Sequence, residues 1–366
     1  MSEPKVIFLK EYCTRTFGST CTRCIAACPA QALSTDKDDD TKIVVDADAC
    51  TQCAICCGVC DALSSTRVTM LDLHERVRSI AQNGNVVVFT CKENVFPDLD
   101  LAKNVIVMPC IASISPELWT LILSEKITVR VAIDMNYCTD CKRGGSMGMP
   151  LYTYAIEQAQ RWAASEIRFV DIIPEKPTLR RVLSDDTGIN RRSAISGLAV
   201  NIVDAATGRR RKRNSNAIEQ IRNARETARA RARLSVDETI QASLAANEAM
   251  RTRIIVPKRE MLIDAINNDP KIAPRVLVVV SATNMMECID CGKCCKNCPT
   301  AARRIDADTG QLDYDRLYCI GCGLCVNACP QEIVTLESLK ADAFNLDEYA
   351  GLISESPEEI NPEPQA

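Results

Sequence analysis

Between residues 85 and 174 the chain alternates short apolar runs with longer stretches of mixed polarity. Val86-Val87-Val88-Phe89 is β-branched and aromatic and leads to Cys91, and residues 104–108 repeat the pattern, closing on Pro109-Cys110. Residues 128–134 and 167–173 form two more such runs, the first of them leading to Cys138 and Cys141. Runs this short and apolar throughout predict strands covered on both faces, as in a parallel sheet. Between them, Ser115-Pro116-Glu117 sets a capping hydroxyl, a proline in the first turn and an acid where free helix N–H groups point. That predicts a helix through Trp119 to about residue 125, with a second over 151–164. The expected unit is a small parallel α/β layer over residues 80–175.

Elsewhere the pattern is thinner. Residues 42–46 and 311–313 predict short strands. Residues 215–253 are rich in Ala, Glu, Arg and Gln, without proline or glycine, and predict one or two helices with a break at Ser235. Over residues 188–260 there are 16 Lys and Arg against 7 Asp and Glu, in a chain whose net charge is −4. That excess reads either as a docking face for an acidic partner or as a solvated linker offsetting acidic ends. It lacks the stacking aromatics that nucleic-acid binding needs. The lone histidine, His74, falls in a polar helical stretch and is expected at the surface.

Composition changes the picture at one residue type. The chain of 366 residues has 22 cysteines and one histidine. The first residues carry no hydrophobic signal core, and no apolar run approaches the roughly 20 residues a spanning helix needs. The expected compartment is therefore the cytoplasm, where thiols stay reduced and clustered cysteines serve as metal ligands.

Cys288, Cys291, Cys294 and Cys298 read C-x2-C-x2-C-x3-C and close on Pro299; Cys319, Cys322, Cys325 and Cys329 repeat the spacing and close on Pro330. Zinc sites use two separated C-x2-C pairs, which does not account for a doubled three-plus-one pattern. These residues resemble the bacterial dicluster ferredoxin family, over about 45 residues. The resemblance implies interleaved ligands: Cys288, Cys291, Cys294 and Cys329 for one [4Fe–4S] cluster, and Cys319, Cys322, Cys325 and Cys298 for the other. A looser copy lies near the start. Cys50, Cys53, Cys56 and Cys60 keep the spacing but are followed by Asp61, while Cys21, Cys24 and Cys28-Pro29 have their remaining thiol displaced to Cys13. By the same resemblance, Cys13, Cys21, Cys24 and Cys60 would hold one cluster and Cys28, Cys50, Cys53 and Cys56 another, with Cys13 the ligand that departs from the pattern. Cys57 and Cys295 each follow a third ligand and are expected as packed, buried thiols.

In the middle segment Cys91, Cys110, Cys138 and Cys141 each follow a predicted strand, and the carboxyl ends of parallel strands share one edge. Four thiols should meet there. This arrangement resembles the delta iron–sulfur subunit of methyl-viologen-reducing hydrogenases, which implies a further cluster, [2Fe–2S] in type. Structural zinc and unligated, redox-active thiols are the alternatives. Gly144, Gly145 and Gly148 follow a cysteine pair at the wrong spacing for a dinucleotide fingerprint.

The expected fold class is α+β and multidomain: a variant dicluster module at 1–75, the α/β domain at 80–175, a basic helical connector at 176–275, a second dicluster module at 276–340 and an acidic, partly disordered tail at 341–366. The expected function is electron relay through four [4Fe–4S] clusters and the middle centre, without catalysis of its own. Its partners would be a hydrogenase-like, formate-oxidising or other oxidoreductase, or a ferredoxin. A thiol–disulfide reductase acting at the middle cysteines and a metalloenzyme maturation factor are the competing classes.

Overall fold

The structure is a computed structural model and describes residues 6–176, 252–306 and 309–344. The helices expected over 215–253, but for residues 252 and 253, which are not helical, and the acidic tail beyond 344 lie outside the described residues.

Near the start, β1 (Val6–Phe8) pairs antiparallel with β4 (Leu63–Ser65), and β2 (Leu33–Thr35) pairs antiparallel with β3 (Ile43–Val45). Two one-turn helices, α1 (Arg23–Ala26) and α2 (Ile55–Val59), carry cysteines between these strands. Helix α3 (Met70–Gln82) follows, opened by a capping box in which Thr69 and Asp72 satisfy each other's backbone N–H.

The central layer is a four-stranded sheet of order β6-β5-β7-β8, made of β5 (Val87–Cys91), β6 (Val105–Met108), β7 (Val129–Ala132) and β8 (Arg168–Val170). Every pairing is parallel, with Phe89 opposite both Ile106 and Val131. Helix α4 (Pro116–Ser124) crosses from β6 to β7, and Ser115 caps it by accepting from the Leu118 N–H. After β7 come the short α5 (Asn136–Thr139) and the long α6 (Gly145–Ala163), which crosses to β8. Helix α6 begins six residues before the predicted start at 151. Pro150 signals a break, but so near the helix start its missing N–H removes only one ladder bond.

One face of the sheet is sealed by Leu118, Trp119 and Ile122 of α4 and by Tyr152 and Ile156 of α6; the other carries a smaller cluster of Val88, Val105, Ala132 and Ile173. Both faces are covered, which is why the strands read as unbroken apolar runs. Trp119 is fully buried and meets Phe89 edge-on at 4.8 Å. Burying each large side chain of this kind contributes about 1.5–3 kcal/mol.

Residues 252–344 return to the same core. Helix α7 (Pro257–Asn268) packs on α4 with Met261, Leu262, Ile263 and Ile266 buried, so this part of the expected connector is interior structure. Beyond it, β9 (Leu277–Thr283) pairs antiparallel with β12 (Val334–Lys340), and β10 (Arg303–Ile305) with β11 (Leu312–Tyr314). Helices α8 (Lys293–Lys296) and α9 (Leu324–Ala328) carry cysteines here. Both ends of the chain thus share a nested layout, an outer strand pair around an inner one.

His74 departs from expectation: it is buried on α3, with Nε2 3.1 Å from Glu125 Oε1. Glu125 ends α4 and also pairs with Arg78, so polar residues of α3 face inward to hold two helices together. Burial pushes the His74 imidazole below its ordinary value, with Glu125 opposing. A depressed histidine stabilises the fold above the ordinary value of about 6.5, and this stabilisation is lost as pH falls. The stability difference between the protein and His74→Gln, followed by urea unfolding, should therefore shrink from pH 7.5 to pH 5. Gly58 of α2 is held for a different reason: a Cβ there would sit 2.3 Å from the Ala112 carbonyl oxygen. Gly58→Ala should cost about 1–3 kcal/mol in the same measurement, the range for forced overpacking.

Candidate metal centres

The cysteines gather in groups of four. Cys288, Cys291, Cys294 and Cys329 line one cavity of about 390 Å³, solvent at its mouth included. Cys298, Cys319, Cys322 and Cys325 line a second of about 310 Å³. In each, three thiols come from one motif and the fourth from the other, because the pairing of β10 with β11 and of β9 with β12 folds the motifs against each other. Gly292 and Gly323, at φ +69° and +76°, turn the chain into α8 and α9 and set the third thiol of each motif inward. The Ser281 N–H points at Cys319 Sγ from 3.4 Å.

At the N-terminal end Cys28, Cys50, Cys53 and Cys56 line a cavity of about 350 Å³, and the Ala32 N–H donates to Cys28 Sγ at 3.3 Å. Cys13, Cys21, Cys24 and Cys60 also come together. The Cys24 thiol and Cys60 share a hydrogen bond, and Cys21 and Cys60 are close enough to raise the Cys13 thiol, although burial raises it most. The long Cys13–Cys21 spacer is folded back by a turn over Thr14–Phe17 and by the buried Arg15, which donates to the Cys21 carbonyl at 3.0 Å and the Asp40 carbonyl at 2.7 Å. Asp61, standing where a proline was expected, accepts from the Lys258 N–H at 3.0 Å and so caps α7. Cys57 and Cys295 are both buried beside their neighbours Cys56 and Cys294.

The middle thiols meet at the carboxyl edge of the parallel sheet. Cys91 ends β5, Cys110 follows β6, and Cys138 and Cys141 flank the end of α5; all four line a cavity of about 330 Å³. The start of α6 closes one wall. A Cβ on Gly144 or Gly148 would come within 3.3 or 3.4 Å of Cys110 Sγ, so these glycines let the backbone approach the thiols. The Gly144 N–H donates to Cys141 Sγ at 3.2 Å, and the buried Tyr152 hydroxyl lies 3.7 Å from Cys138 Sγ. Arg143 ties this site to the N-terminal motifs by donating to the Thr51 carbonyl, while its Nε pairs with Glu93 at 2.9 Å. Cys53 is near enough to Cys110 to affect its ionisation.

Burial raises the thiols of Cys53, Cys91, Cys138 and Cys325, pushes Cys322 up to about 11 and Cys110 up to about 12. Rings of buried thiols give up their protons readily only to a cationic centre that replaces them. Among the described residues no three His, Cys, Asp or Glu side chains are arranged to hold a single metal ion; the thiols stand back around cavities instead. That donor set, four thiolates around a space larger than one ion, fits an iron–sulfur cluster.

One polar residue went unnoticed in the sequence. Arg303, the first residue of β10, is 1% exposed and lines the second C-terminal cavity, while its partner Thr283 lines the first. The available signal was positional: the N-terminal copy has Leu33 at the same distance after its Cys-Pro.

A protein-family model described as a 4Fe-4S dicluster domain matches residues 287–333. No curated protein and no solved structure matches the chain. The match establishes a dicluster domain at that end, implies [4Fe–4S] clusters there and supports an iron–sulfur electron-transfer role. Among the described residues no helix is long and apolar enough to cross a membrane.

In metal-free protein prepared without denaturant the thiols should differ in reactivity. Cys291 is exposed and should be alkylated early at pH 8, whereas Cys110 should react much later, its rate climbing about tenfold per pH unit toward pH 12. Peptide mapping after timed iodoacetamide labelling reads both.

Proposed function

We propose that the chain is an electron-transfer protein carrying four [4Fe–4S] clusters and a fifth iron–sulfur centre. The supporting observation is that twenty cysteines, drawn from three separate groups, fall into five sets of four. The N-terminal sets, Cys13/Cys21/Cys24/Cys60 and Cys28/Cys50/Cys53/Cys56, would form a second dicluster module, favoured by the strand layout shared with the C-terminal end. Cys91, Cys110, Cys138 and Cys141 would hold the fifth centre, [2Fe–2S] in type. When bound, such clusters take up and release single electrons. The residues around them orient the thiolates and adjust their basicity through N–H···S bonds from Ala32, Gly144 and Ser281. The partners would be cytoplasmic oxidoreductases of hydrogenase-like or formate-oxidising kind, or a ferredoxin.

A second reading rests on the surroundings of the middle cavity. Phe96, Tyr137 and Met149 are exposed beside it, and the Phe96 and Tyr137 rings pack edge-on at 6.3 Å. Such a rim suits a substrate as well as a protein partner, and Cys138 with Cys141 would then act as a dithiol.

Anaerobic purification with iron and sulfide counts, and low-temperature EPR after dithionite, tests the first reading. About sixteen irons for the four cubanes plus about two for the middle centre are expected, together with reducible-cluster signals. Preparations that stay iron-free and EPR-silent after anaerobic reconstitution would refute it. Stoichiometric zinc with the iron of only four cubanes would remove the fifth centre. Disulfide reduction abolished by alkylating Cys138 and Cys141, with the cubane signals intact, would favour the second reading.

A further inference from the structure

Arg303 is among the largest fully buried side chains of the described residues. Its Nε and Nη2 donate to Ser281 Oγ at 3.1 and 2.9 Å, and its Nη1 donates to Thr283 Oγ1 at 2.7 Å. The guanidinium lies 4.4 Å from the centre of the Tyr314 ring. Among the described residues no carboxylate comes within ion-pair distance of it. The nearby acid on β11, Asp313, is already taken by Arg253 at 2.9 Å and Arg304 at 2.6 Å.

An arginine keeps its charge in any protein interior, and a charge sealed from water needs a counterion. Hydroxyls and a ring face supply dipoles but no net negative charge. What does face the guanidinium is sulfur. Arg303 itself lines the cavity of the second ring with Cys298, Cys319, Cys322 and Cys325, and its acceptor Thr283 lines that of the first with Cys288, Cys291, Cys294 and Cys329. Ser281, the main acceptor of Arg303, in turn directs its N–H at Cys319 of the second ring.

We propose that Arg303 is the potential-setting residue of the C-terminal domain. Resting on the iron–sulfur reading of residues 287–333, the counterion of its guanidinium is the pair of thiolate-ligated clusters on either side. Such clusters are anionic, and each gains one further negative charge when it accepts an electron from a redox partner, with no covalent bond formed or broken. A fixed positive charge between them favours the reduced state of both and raises both potentials. The N-terminal copy lacks the device, because buried Leu33 opens the equivalent strand, β2. At otherwise equal surroundings, electrons should therefore collect on the C-terminal pair.

The test uses the full-length chain, purified anaerobically with iron and sulfide counted, and midpoint potentials read by EPR-monitored titration. Cys291→Ser and Cys322→Ser assign the C-terminal signals. Arg303→Leu copies the N-terminal residue, Arg303→Gln keeps a donor for Ser281 without the charge, and Arg303→Lys keeps a charge without the fork. At full iron content the two neutral variants should lower both C-terminal potentials, with roughly a tenfold fall in the reduction equilibrium constant, about 59 mV for a one-electron couple. Arg303→Lys should keep most of the wild-type value. Neutral variants with full iron and unchanged potentials overturn the proposal. If the neutral variants lose their clusters, retention in Arg303→Lys supports the countercharge, and loss there too overturns it in favour of packing. A wild-type chain that takes up neither iron nor sulfide refutes the iron–sulfur reading itself and the proposal with it, before any substitution is made.

Discussion

Bringing four thiols to one place from a linear chain is the constraint that organises this molecule. Three can come from a single tight loop, but a fourth must arrive from elsewhere, and that distant contribution goes with the pairing of β10 with β11 and of β2 with β3. At the C-terminal end Cys329 and Cys298 exchange places between rings, so neither ring closes unless both motifs are folded. In the middle the same end is reached by other means, since parallel strands deliver their carboxyl ends to a common edge. Glycines stand where the backbone must approach sulfur, and amide N–H groups point at the thiols from three sides of the fold.

Much of this was legible because short-range patterns carry it. The four strands of the central sheet and the Ser115 cap follow from unbroken apolar runs and a capping triplet, and the structure has all of them. The C-terminal motif spacing sufficed to anticipate the dicluster domain that the family match finds over residues 287–333. What the sequence hid was long-range. His74 sits in a polar stretch, and its partner Glu125, 51 residues away, makes burial tolerable. Asp61 reads as a defect in a motif until Lys258 brings a helix end to it. Arg303 carries no local sign of burial, since nothing near it in sequence shows that Ser281, Thr283 and Tyr314 close over it.

Helix α7 shows how the parts are joined. Its start is capped by Asp61 beside Cys60, its Arg259 donates to the Cys319 carbonyl at 2.8 Å, and its apolar face lies on α4. One element thus touches the N-terminal motifs, the C-terminal motifs and the central layer. Buried charge accompanies the junction: Glu117 of α4 is buried within reach of Lys258 and Arg259, and burial raises its carboxyl group while Lys258 opposes that rise.

The largest apolar cluster runs without interruption from Ala27 and Cys53 through the central sheet and α7 to Cys298 and Cys319. Such continuity bears on ancestry and on engineering alike. Small ferredoxin units are ordinarily thought of as detachable cassettes, inserted or deleted as a whole. Here the dicluster domain matched over residues 287–333 has given one wall to a common interior, and excising it would leave an apolar wound in what remained. An arrangement of this kind trades interchangeability for integration, because a change in the wall one part supplies is felt by its neighbours in the common interior.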